Sequence, residues 1–218
     1  MEPKEVFPDV FKIDGKLATR NFVKGKKAYD ENLIAIDEEE YRSWTPYRSK
    51  LSAAILNGLK HFEIKKGNAV LYLGASTGTT ASHVSDIVQK QGRVYCVEIS
   101  ERSVRDLLNI CQSRSNMLPI LSDAHQIENY ANIVEQCDVI YQDISAKEQA
   151  EIMNKNSKFL KKGGFAYFII KSQSIDISKP PQEVFKKELE KLDGFEILEK
   201  LSLEPYDSAH MFAVLRKK

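Results

Sequence analysis

The chain has 218 residues, of which 42% are hydrophobic and 29% are charged. This ordinary balance excludes wholesale disorder and fits one large domain, or one domain with a small appendage. Lysine and arginine together number 32 and acidic residues number 31, so the net charge of +1 excludes a strongly basic nucleic-acid-binding domain.

Residues 1–44 are predicted to form a small β-rich region, and residues 45–218 are predicted to form a second, larger domain. The strand-like pieces of the first region are residues 6–13, 17–23 and 32–36. Pro8, Gly15 and Gly25 interrupt these pieces, as is typical of turns between strands. We therefore expect a small meander of hairpins in this part of the chain.

Three features of the sequence predict a soluble protein of the cytoplasm. The first residues include acids and prolines, where a secretory signal peptide needs an apolar segment. The longest uninterrupted apolar run, residues 165–170, is far too short to span a membrane. Cys96, Cys111 and Cys137 are widely spaced, which favours a reducing compartment over a disulfide framework or a cysteine-ligated zinc site.

Helical and strand-like patterns alternate along the rest of the chain. A helix is predicted over residues 48–59, where apolar residues recur at helical spacing. The predicted strands are residues 69–73, 94–97, 118–121, 139–141, 165–170, 196–203 and 211–215, and further helices are predicted over 103–111, 147–160 and 182–192. This alternation predicts an α/β fold with a doubly wound, mostly parallel seven-stranded sheet, in which one of the last two strands is antiparallel.

The loop after the first of these strands has the composition of a ligand-binding turn. It reads Leu73-Gly-Ala-Ser-Thr-Gly-Thr-Thr80, and in doubly wound sheets the ligand lies beyond the carboxyl ends of the strands. Gly74 and Gly78 allow a tight turn and a close approach of the backbone to a ligand. The spacing G-x-x-x-G is neither the dinucleotide fingerprint G-x-G-x-x-G nor a Walker A loop, which favours a ligand without a pyrophosphate.

Acidic residues end the next three predicted strands. Glu98 ends the second strand, where an acid typically binds both ribose hydroxyls of a nucleoside, and Asp123 and Asp143 end the third and fourth. Each acid alone is more simply explained as a helix cap. Their common position at one edge of the sheet favours a nucleoside-containing cofactor. S-adenosylmethionine fits better than NAD, because it carries ribose and adenine but no phosphate.

Three residues are candidates for catalysis at the same edge. Asp143 ends the fourth strand, Lys171 ends the fifth, and Lys50 lies on the helix before the glycine loop. A carboxylate holds a neighbouring lysine in place, and a desolvated lysine can act as a base, whereas a surface ion pair is the simpler alternative. No cluster has metal-ligand spacing. His125 is expected to pack rather than to act, and His210 is a minor candidate for the cleft.

Several longer motifs resemble the fibrillarin family, in the same order along the chain. They are Trp44-Thr-Pro-Tyr-Arg-Ser-Lys-Leu51, Leu71-Tyr-Leu-Gly-Ala-Ser-Thr-Gly-Thr-Thr80, Ser82-His-Val-Ser-Asp86, Tyr95-Cys-Val-Glu98, Pro119-Ile-Leu-Ser-Asp-Ala124, Tyr141-Gln-Asp143, Glu148-Gln-Ala150, Ile170-Lys-Ser172, Ser174-Ile-Asp176 and Leu203-Glu-Pro205. The similarity covers essentially the whole chain. The Gly/Arg-rich N-terminal extension of eukaryotic fibrillarins is absent, so the chain resembles the short archaeal form.

The resemblance implies a Rossmann-like methyltransferase that uses S-adenosylmethionine for 2′-O-methylation of ribose in rRNA and tRNA. It also implies a box C/D ribonucleoprotein with a guide RNA, a coiled-coil Nop-domain scaffold protein and a kink-turn-binding ribosomal-type protein. The family's cofactor contacts fall on Tyr72, Gly74, Ala75, Thr79, Thr80, Glu98, Ile99, Asp123, Ala124, Asp143, Ile144, Ser145 and Ala146. Its catalytic Lys-Asp-Lys arrangement falls on Lys50, Asp143 and Lys171, and Glu204 and His210 are both candidates for a further catalytic residue.

The near-zero net charge agrees with a particle in which other components bind most of the RNA. Individual basic side chains are candidate contacts to the substrate backbone, although solvated surface charge is the simpler interpretation for most of them. These are Lys24, Lys26, Lys27, Arg42, Arg48 and Lys179. Two alternative functions stay open. One is a catalytically idle subunit of the same particle, which the presence of all three catalytic candidates disfavours, and the other is a different S-adenosylmethionine-dependent methyltransferase.

Overall fold

Five short antiparallel strands form the N-terminal sheet of the computed structural model, which describes residues 2–218. They are β1 (Lys4–Phe7), β2 (Val10–Ile13), β3 (Lys16–Arg20), β4 (Leu33–Ile36) and β5 (Glu39–Ser43). Their order across the sheet is β1-β2-β3-β5-β4, so β5 rather than β4 pairs with β3. The predicted N-terminal β-meander is confirmed.

Two details of the predicted meander are wrong. Residues 6–13 do not form one strand, because Asp9 after Pro8 adopts a left-handed conformation (φ 58°) and the chain reverses between β1 and β2. Strand β5 has no counterpart among the predicted strands, since its charged residues lack the apolar alternation of a half-buried strand. The buried residues of β5 are Tyr41 and Arg42, and distant acidic residues neutralise the arginine.

The larger sheet has seven strands. They are β6 (Ala69–Leu73), β7 (Arg93–Glu98), β8 (Met117–Leu121), β9 (Cys137–Gln142), β10 (Leu160–Lys171), β11 (Phe195–Ser202) and β12 (His210–Lys217). The helices are α1 (Lys50–Leu56), α2 (Thr79–Val88), α3 (Glu101–Ser113), α4 (Gln149–Asn156), α5 (Ser172–Ile175) and α6 (Pro181–Glu190). The strand order is β11-β12-β10-β9-β6-β7-β8, and only β12 is antiparallel to its neighbours. The predicted doubly wound, mostly parallel α/β sheet of seven strands is confirmed.

The helices differ from their predicted bounds mainly at their ends. A 3-10 turn over Pro46–Arg48 precedes α1, and Ser49 caps α1 by accepting a hydrogen bond from the Ser52 amide. The helix predicted over residues 147–160 is too long, because β10 already begins at its last residue. Within residues 2–218, no helix is long and apolar enough to cross a membrane.

Two apolar cores cover the two faces of the larger sheet, and strand residues alternate between them. On β6, Val70 and Tyr72 belong to the core that contains α1, α2 and α3, whereas Leu71 and Leu73 belong to the core that contains α4 and α6. Every residue of β6 is therefore buried. This double coverage explains why the strand sequences are nearly continuous apolar runs that are recognisable without a structure.

The strand order places the predicted ligand-binding crevice at the carboxyl ends of the central strands. Strand β6 lies between β7 and β9, so the chain first extends the sheet through β7 and β8 and later crosses back to form β9. At this reversal the carboxyl ends of neighbouring strands border an open crevice. The loops after β6, β7 and β9 begin with Gly74, Ile99 and Asp143, which brings the predicted site residues to one place.

A buried ionic network joins the N-terminal sheet to the larger sheet. Asp86 on α2 accepts hydrogen bonds from Arg42 Nη1 at 2.7 Å and from Arg114 Nη1 at 2.6 Å. The Thr19 hydroxyl on β3 donates to the same carboxylate at 2.7 Å. Arg42 Nε also donates to Glu31 at 2.6 Å. Each ion compensates the desolvation of its partners, so the network is stable only as a whole.

The network overturns one expectation from the sequence. Arg42 is fully buried and bound to two carboxylates, so it is neither a solvated surface charge nor accessible to an RNA backbone, and its inclusion among the candidate RNA contacts is wrong. The network also crosses the boundary between residues 1–44 and 45–218. The division of the chain into these two domains stays a prediction.

Asp86→Ala is expected to destabilise the protein by about 3–5 kcal/mol, because two buried guanidinium groups lose the counterion that they share. The exposed pair of Lys161 and Asp138 offers a matched control, and Lys161→Ala is expected to cost less than about 1 kcal/mol. Urea denaturation measures the free energy of unfolding of both variants. A similar decrease in the free energy of unfolding in both variants would show that burial does not determine how much the Asp86 contacts stabilise the protein.

Candidate active site

The glycine loop after β6 lies against the backbone at the end of β9. Gly74 has a left-handed conformation (φ 82°), and a Cβ atom on it would lie 2.5 Å from the carbonyl oxygen of Asp143. The Asp143 amide donates to the Leu73 carbonyl oxygen at 2.9 Å. Since only glycine permits this approach, the loop and the start of the Asp143 segment fix one another.

A cleft of about 390 Å³ lies beyond the strand ends. Its lining consists of Gly74, Ser76, Val97, Glu98, Ile99, Ser122, Asp123, Ala124, His125, Asp143, Ile144, Ser145, Ala146, Ile152 and Lys171. Nine of the thirteen predicted cofactor contacts belong to this lining, as does the catalytic candidate Lys171. The cleft therefore lies at the predicted edge of the sheet, while the role of each residue stays a prediction.

The other four predicted cofactor contacts lie outside the lining. Tyr72 is buried, and its ring stacks on that of a neighbouring tyrosine with 4.5 Å between the centroids. Ala75 is buried within the loop, and Thr79 and Thr80 begin α2. The Thr80 hydroxyl donates to the hydroxyl of Ser49, the cap of α1, at 3.1 Å. In this structure these residues support the loop and α1 rather than the surface of the cleft.

Five lining residues were not among the predicted contacts. They are Ser76, Val97, Ser122, His125 and Ile152. Ser76, Val97 and Ser122 lie inside the quoted motifs, and His125 directly follows one, so including every residue of these motifs and the next position would have found all four. Ile152 lies on α4, and no local pattern marks it as part of the site. From the sequence, His125 is expected to pack rather than to act. Its side chain contacts Asp123, and it also borders the cleft.

Two carboxylates form one end of the cleft. Glu98 is only 9% exposed, and it accepts hydrogen bonds from the backbone amides of Ser76 at 2.7 Å and Ser100 at 2.8 Å. Asp123 accepts from the His125 amide at 2.9 Å and lies 3.0 Å from His125 Nδ1. Burial raises the pKa of Asp123, but the contacts with His125 outweigh burial and hold the pKa below its usual value. Asp123 is therefore ionised at neutral pH.

The structure brings Lys50, Asp143 and Lys171 together into one ion cluster. Asp143 binds Lys50 through Oδ2 at 3.2 Å and Lys171 through Oδ1 at 2.8 Å. The Lys171 ammonium also donates to the Asp143 carbonyl oxygen and to the Ser145 hydroxyl, each at 3.2 Å. Burial raises the pKa of Asp143, but the two ammonium groups outweigh burial and leave the pKa below its usual value. The proximity inferred from the strand ends is confirmed.

Asp207 extends this cluster and has no counterpart among the predicted site residues. Its Oδ2 lies 3.6 Å from Lys50 Nζ, and its Oδ1 lies 2.6 Å from His210 Nδ1. His210 begins β12 directly opposite Lys171 in the antiparallel pairing. Of the two candidates for a further catalytic residue, His210 is thus connected to the cluster, and the carboxylate of Glu204 has no hydrogen bond or ion pair within residues 2–218. No local pattern links residue 207 to Lys50, which explains why the sequence does not reveal it.

The charges of the cleft suit a nucleoside with a positive centre better than a nucleotide. Glu98 and Asp123 form one end, and the lining that the structure describes contains no arginine. Its one lysine, Lys171, is already paired with Asp143. A phosphate group at the acidic end would meet like charges, whereas a cationic group gains from the cleft as a whole, whose lining has three carboxylates and one lysine. The residues present therefore fit a phosphate-free, positively charged nucleoside derivative.

Asp143→Asn is expected to lower the free energy of unfolding by about 1–3 kcal/mol at pH 7, because two ammonium groups lose the carboxylate between them. The folded-state pKa of Asp143 lies below its ordinary value of 3.8, so the carboxylate contributes its stability above that value. The contribution is lost as the pH falls through the lower folded-state pKa. Urea denaturation from pH 7 down to about pH 3 is expected to show a constant difference that shrinks only near the acidic end. A difference that grows with acidity would contradict this assignment.

Comparison with known proteins identifies relatives along the whole chain. The family model that matches it is described as Fibrillarin and covers residues 1–218. A fibrillarin-like rRNA/tRNA 2′-O-methyltransferase of Methanocaldococcus jannaschii is 49% identical over 219 residues, which cover 97% of this chain and 95% of that protein.

Two solved structures show the same architecture. Aeropyrum pernix fibrillarin, in complex with natively bound S-adenosyl-L-methionine, is 43% identical with a TM-score of 0.87, covering 94% of this chain and 92% of that chain. A chain of a fibrillarin/Nop5p complex is 39% identical with a TM-score of 0.89, covering 99% of this chain and 100% of that chain. Because the family model spans the entire sequence and the similarity extends over both sheets, this chain belongs to the fibrillarin family.

Proposed function

We propose that this protein transfers a methyl group from S-adenosylmethionine to the 2′-hydroxyl of ribose in rRNA and tRNA. The observation that carries the proposal is the ion cluster of Lys50, Asp143 and Lys171 beside a cleft suited to a phosphate-free nucleoside. The Methanocaldococcus jannaschii relative is named for this activity. Family membership and site geometry thus support the same reaction.

The cofactor is proposed to lie in the cleft, as supported by the relative from Aeropyrum pernix that has S-adenosyl-L-methionine bound. Glu98 would bind the ribose hydroxyls, and Ile99, Asp123 and Ala124 would hold the adenine end. Ile99 is 66% exposed, so its side chain is available to cover a flat ring. When bound, S-adenosylmethionine supplies an electrophilic methyl group on a positively charged sulfur.

The residues of the ion cluster orient the substrate hydroxyl and take up its proton. Asp143 stays ionised at neutral pH and holds both lysine side chains, so their nitrogen atoms occupy fixed positions. We assign Lys171 as the acceptor of the 2′-hydroxyl proton, and Lys50 as the cation that keeps the carboxylate in place. Accepting a proton requires the neutral amine, so this role predicts a rate that rises with pH. Methyl transfer needs an in-line nucleophile, which makes fixed geometry the main contribution.

The proposal extends to a ribonucleoprotein particle. The solved complex of a 39% identical chain with Nop5p supports a Nop-domain scaffold as partner. A box C/D guide RNA and a kink-turn-binding protein complete the proposed particle, and its proposed location is the cytoplasm. The net charge of +1 supports this division of roles, because the chain alone neutralises few phosphates and is expected to bind RNA weakly.

Assembly with the scaffold protein, the kink-turn protein and a guide RNA tests the function. Labelled S-adenosylmethionine is expected to label one ribose of a complementary RNA, and a matched RNA with a 2′-deoxyribose at that nucleotide is expected to stay unlabelled. Label on a base, or equal label in the deoxy control, would overturn the 2′-O assignment. An assembled particle without any transfer would favour the idle-subunit alternative.

Lys171→Ala is expected to lower the single-turnover rate of the assembled particle about 100-fold to 10,000-fold, the usual value of a general base. Affinity for S-adenosylmethionine is expected to stay nearly the same. Lys171→Arg is expected to restore little, since a guanidinium keeps its proton. Single-turnover rates of both variants across pH check this, and a near-normal rate for Lys171→Arg would leave the lysine as an orienting cation only.

Glu98→Ala is expected to weaken S-adenosylmethionine binding by about 2–3 kcal/mol, because charge-assisted hydrogen bonds to ribose are lost. Glu101→Ala, an exposed acid in the first turn of α3, is the matched control and is expected to bind normally. Calorimetry measures both affinities. A melting curve must show that the Glu98→Ala variant is folded, because Glu98 also accepts hydrogen bonds from the Ser76 and Ser100 amides. Unchanged affinity in a folded Glu98→Ala variant would refute the ribose assignment.

A further inference from the structure

Tyr47 is the only aromatic residue with an exposed side chain within residues 2–218. It is 73% exposed, and it lies in the 3-10 turn that leads into Lys50. Its hydroxyl has no hydrogen-bond partner in the described part of the chain. A single exposed tyrosine is ordinary on a protein surface. Here, however, the ring stands beside the catalytic cluster and is accompanied by a second ring.

The second ring is that of Tyr206, from the turn between β11 and β12. The two ring centroids are 5.4 Å apart and the planes meet at 79°, an edge-to-face contact. Such a contact supports the Tyr47 ring without covering both of its faces. Because Tyr206 is half-buried, it is the fixed member of the pair, and Tyr47 presents a free aromatic face to solvent.

Both turns are tied to the catalytic cluster. The Asp207 carboxylate, next to Tyr206 in the chain, lies 3.6 Å from the Lys50 ammonium. Asn57, just after α1, donates from Nδ2 to the carbonyl oxygens of Ser202 and Glu204, each at 2.8 Å. The aromatic pair therefore has a fixed position relative to Lys50, and little conformational freedom is lost when a ligand binds there.

We propose that the face of Tyr47, supported by Tyr206, is a stacking site for a nucleobase of the RNA strand that carries the target ribose. The inference rests on the proposed function, which requires a ribose of that strand at the ion cluster. The base attached to this ribose, or the base of a neighbouring nucleotide, would lie close to the ion cluster and present a flat π surface. Stacking of bases on aromatic side chains is a common mode of RNA recognition.

The surroundings favour a nucleobase over an apolar segment of a protein partner. The tyrosine is flanked by Arg48, which pairs with Asp30 and whose side chain is 44% exposed, and by Lys50, which pairs with Asp143, so it is not part of a continuous apolar patch. An aromatic face among charged side chains suits a nucleobase, whose edges are polar, better than an apolar peptide segment. Stacking is also tolerant of base identity, which suits an enzyme whose target is chosen by a guide RNA rather than by its own contacts.

The test uses the assembled particle and compares Tyr47→Ala, Tyr47→Phe and a control, Ile197→Ala. Ile197 is 40% exposed near the start of β11, away from the carboxyl ends of the strands. Tyr47→Ala is expected to lower kcat/KM for the RNA about tenfold, whereas Tyr47→Phe and Ile197→Ala stay within about twofold of wild type. Affinity for S-adenosylmethionine is expected to be unchanged in all three. A substrate with 2-aminopurine at or beside the target reports stacking as fluorescence quenching, which Tyr47→Ala is expected to reduce.

Each other outcome has a distinct meaning. Normal kcat/KM and quenching in Tyr47→Ala would overturn the stacking site and leave the proposed function intact. Equal losses in Tyr47→Phe and Tyr47→Ala would show that the hydroxyl, not the ring face, makes the contact. A Tyr47→Ala particle that fails to assemble would identify the ring as a protein contact instead. A wild-type particle that transfers no methyl group would refute the proposed function, and the stacking site with it.

Discussion

The Asp86 carboxylate is buried away from water, and its negative charge is tolerated in the interior because the guanidinium groups of Arg42 and Arg114 neutralise it. Arg42 comes from the N-terminal sheet and Arg114 from the residue after α3, so this one carboxylate fixes the small sheet against α2. The first turn of α2 carries Thr80, which contacts the cap of α1, and α1 begins with Lys50. The position of Lys50, which we propose to be catalytic, thus depends on contacts made by the N-terminal sheet.

The ion cluster at the cleft repeats this arrangement with a different pair of cations. Asp143 also lies between two positive groups, but they are lysines, and their side chains are 13–20% exposed rather than fully buried. A guanidinium keeps its proton under all ordinary conditions and binds in a fixed planar fork, which suits a structural role. An ammonium group can release its proton, which suits a site where a hydroxyl must lose one. The choice of cation therefore distinguishes the structural carboxylate, Asp86, from Asp143, the carboxylate proposed to serve catalysis.

Local patterns in the sequence determine most of what could be predicted. Apolar runs identify the strands because both faces of the sheet are covered, and the order of strands places Glu98 and Asp143 at one edge. The residues that escaped prediction are defined by distant partners. In the sequence, Arg42 resembles any surface cation, because its partners Glu31 and Asp86 are close to it only in the fold. Strand β5, which contains Arg42, could not be predicted for the same reason. Asp207 joins the ion cluster only because the turn before β12 packs beside α1 in the fold. No periodic pattern in the sequence predicts this contact.

Strand β12 follows β11 in the chain, yet it lies between β10 and β11 in the sheet. As the chain is synthesised, β10 and β11 therefore exist before the strand that joins them. Until β12 is inserted, β10 keeps an open apolar edge whose amide and carbonyl groups can pair with another chain. The same insertion brings His210 opposite Lys171. The step that closes this open edge is thus also the step that brings Asp207 and His210 to the ion cluster, so a chain in which these contacts are formed no longer exposes the edge of β10.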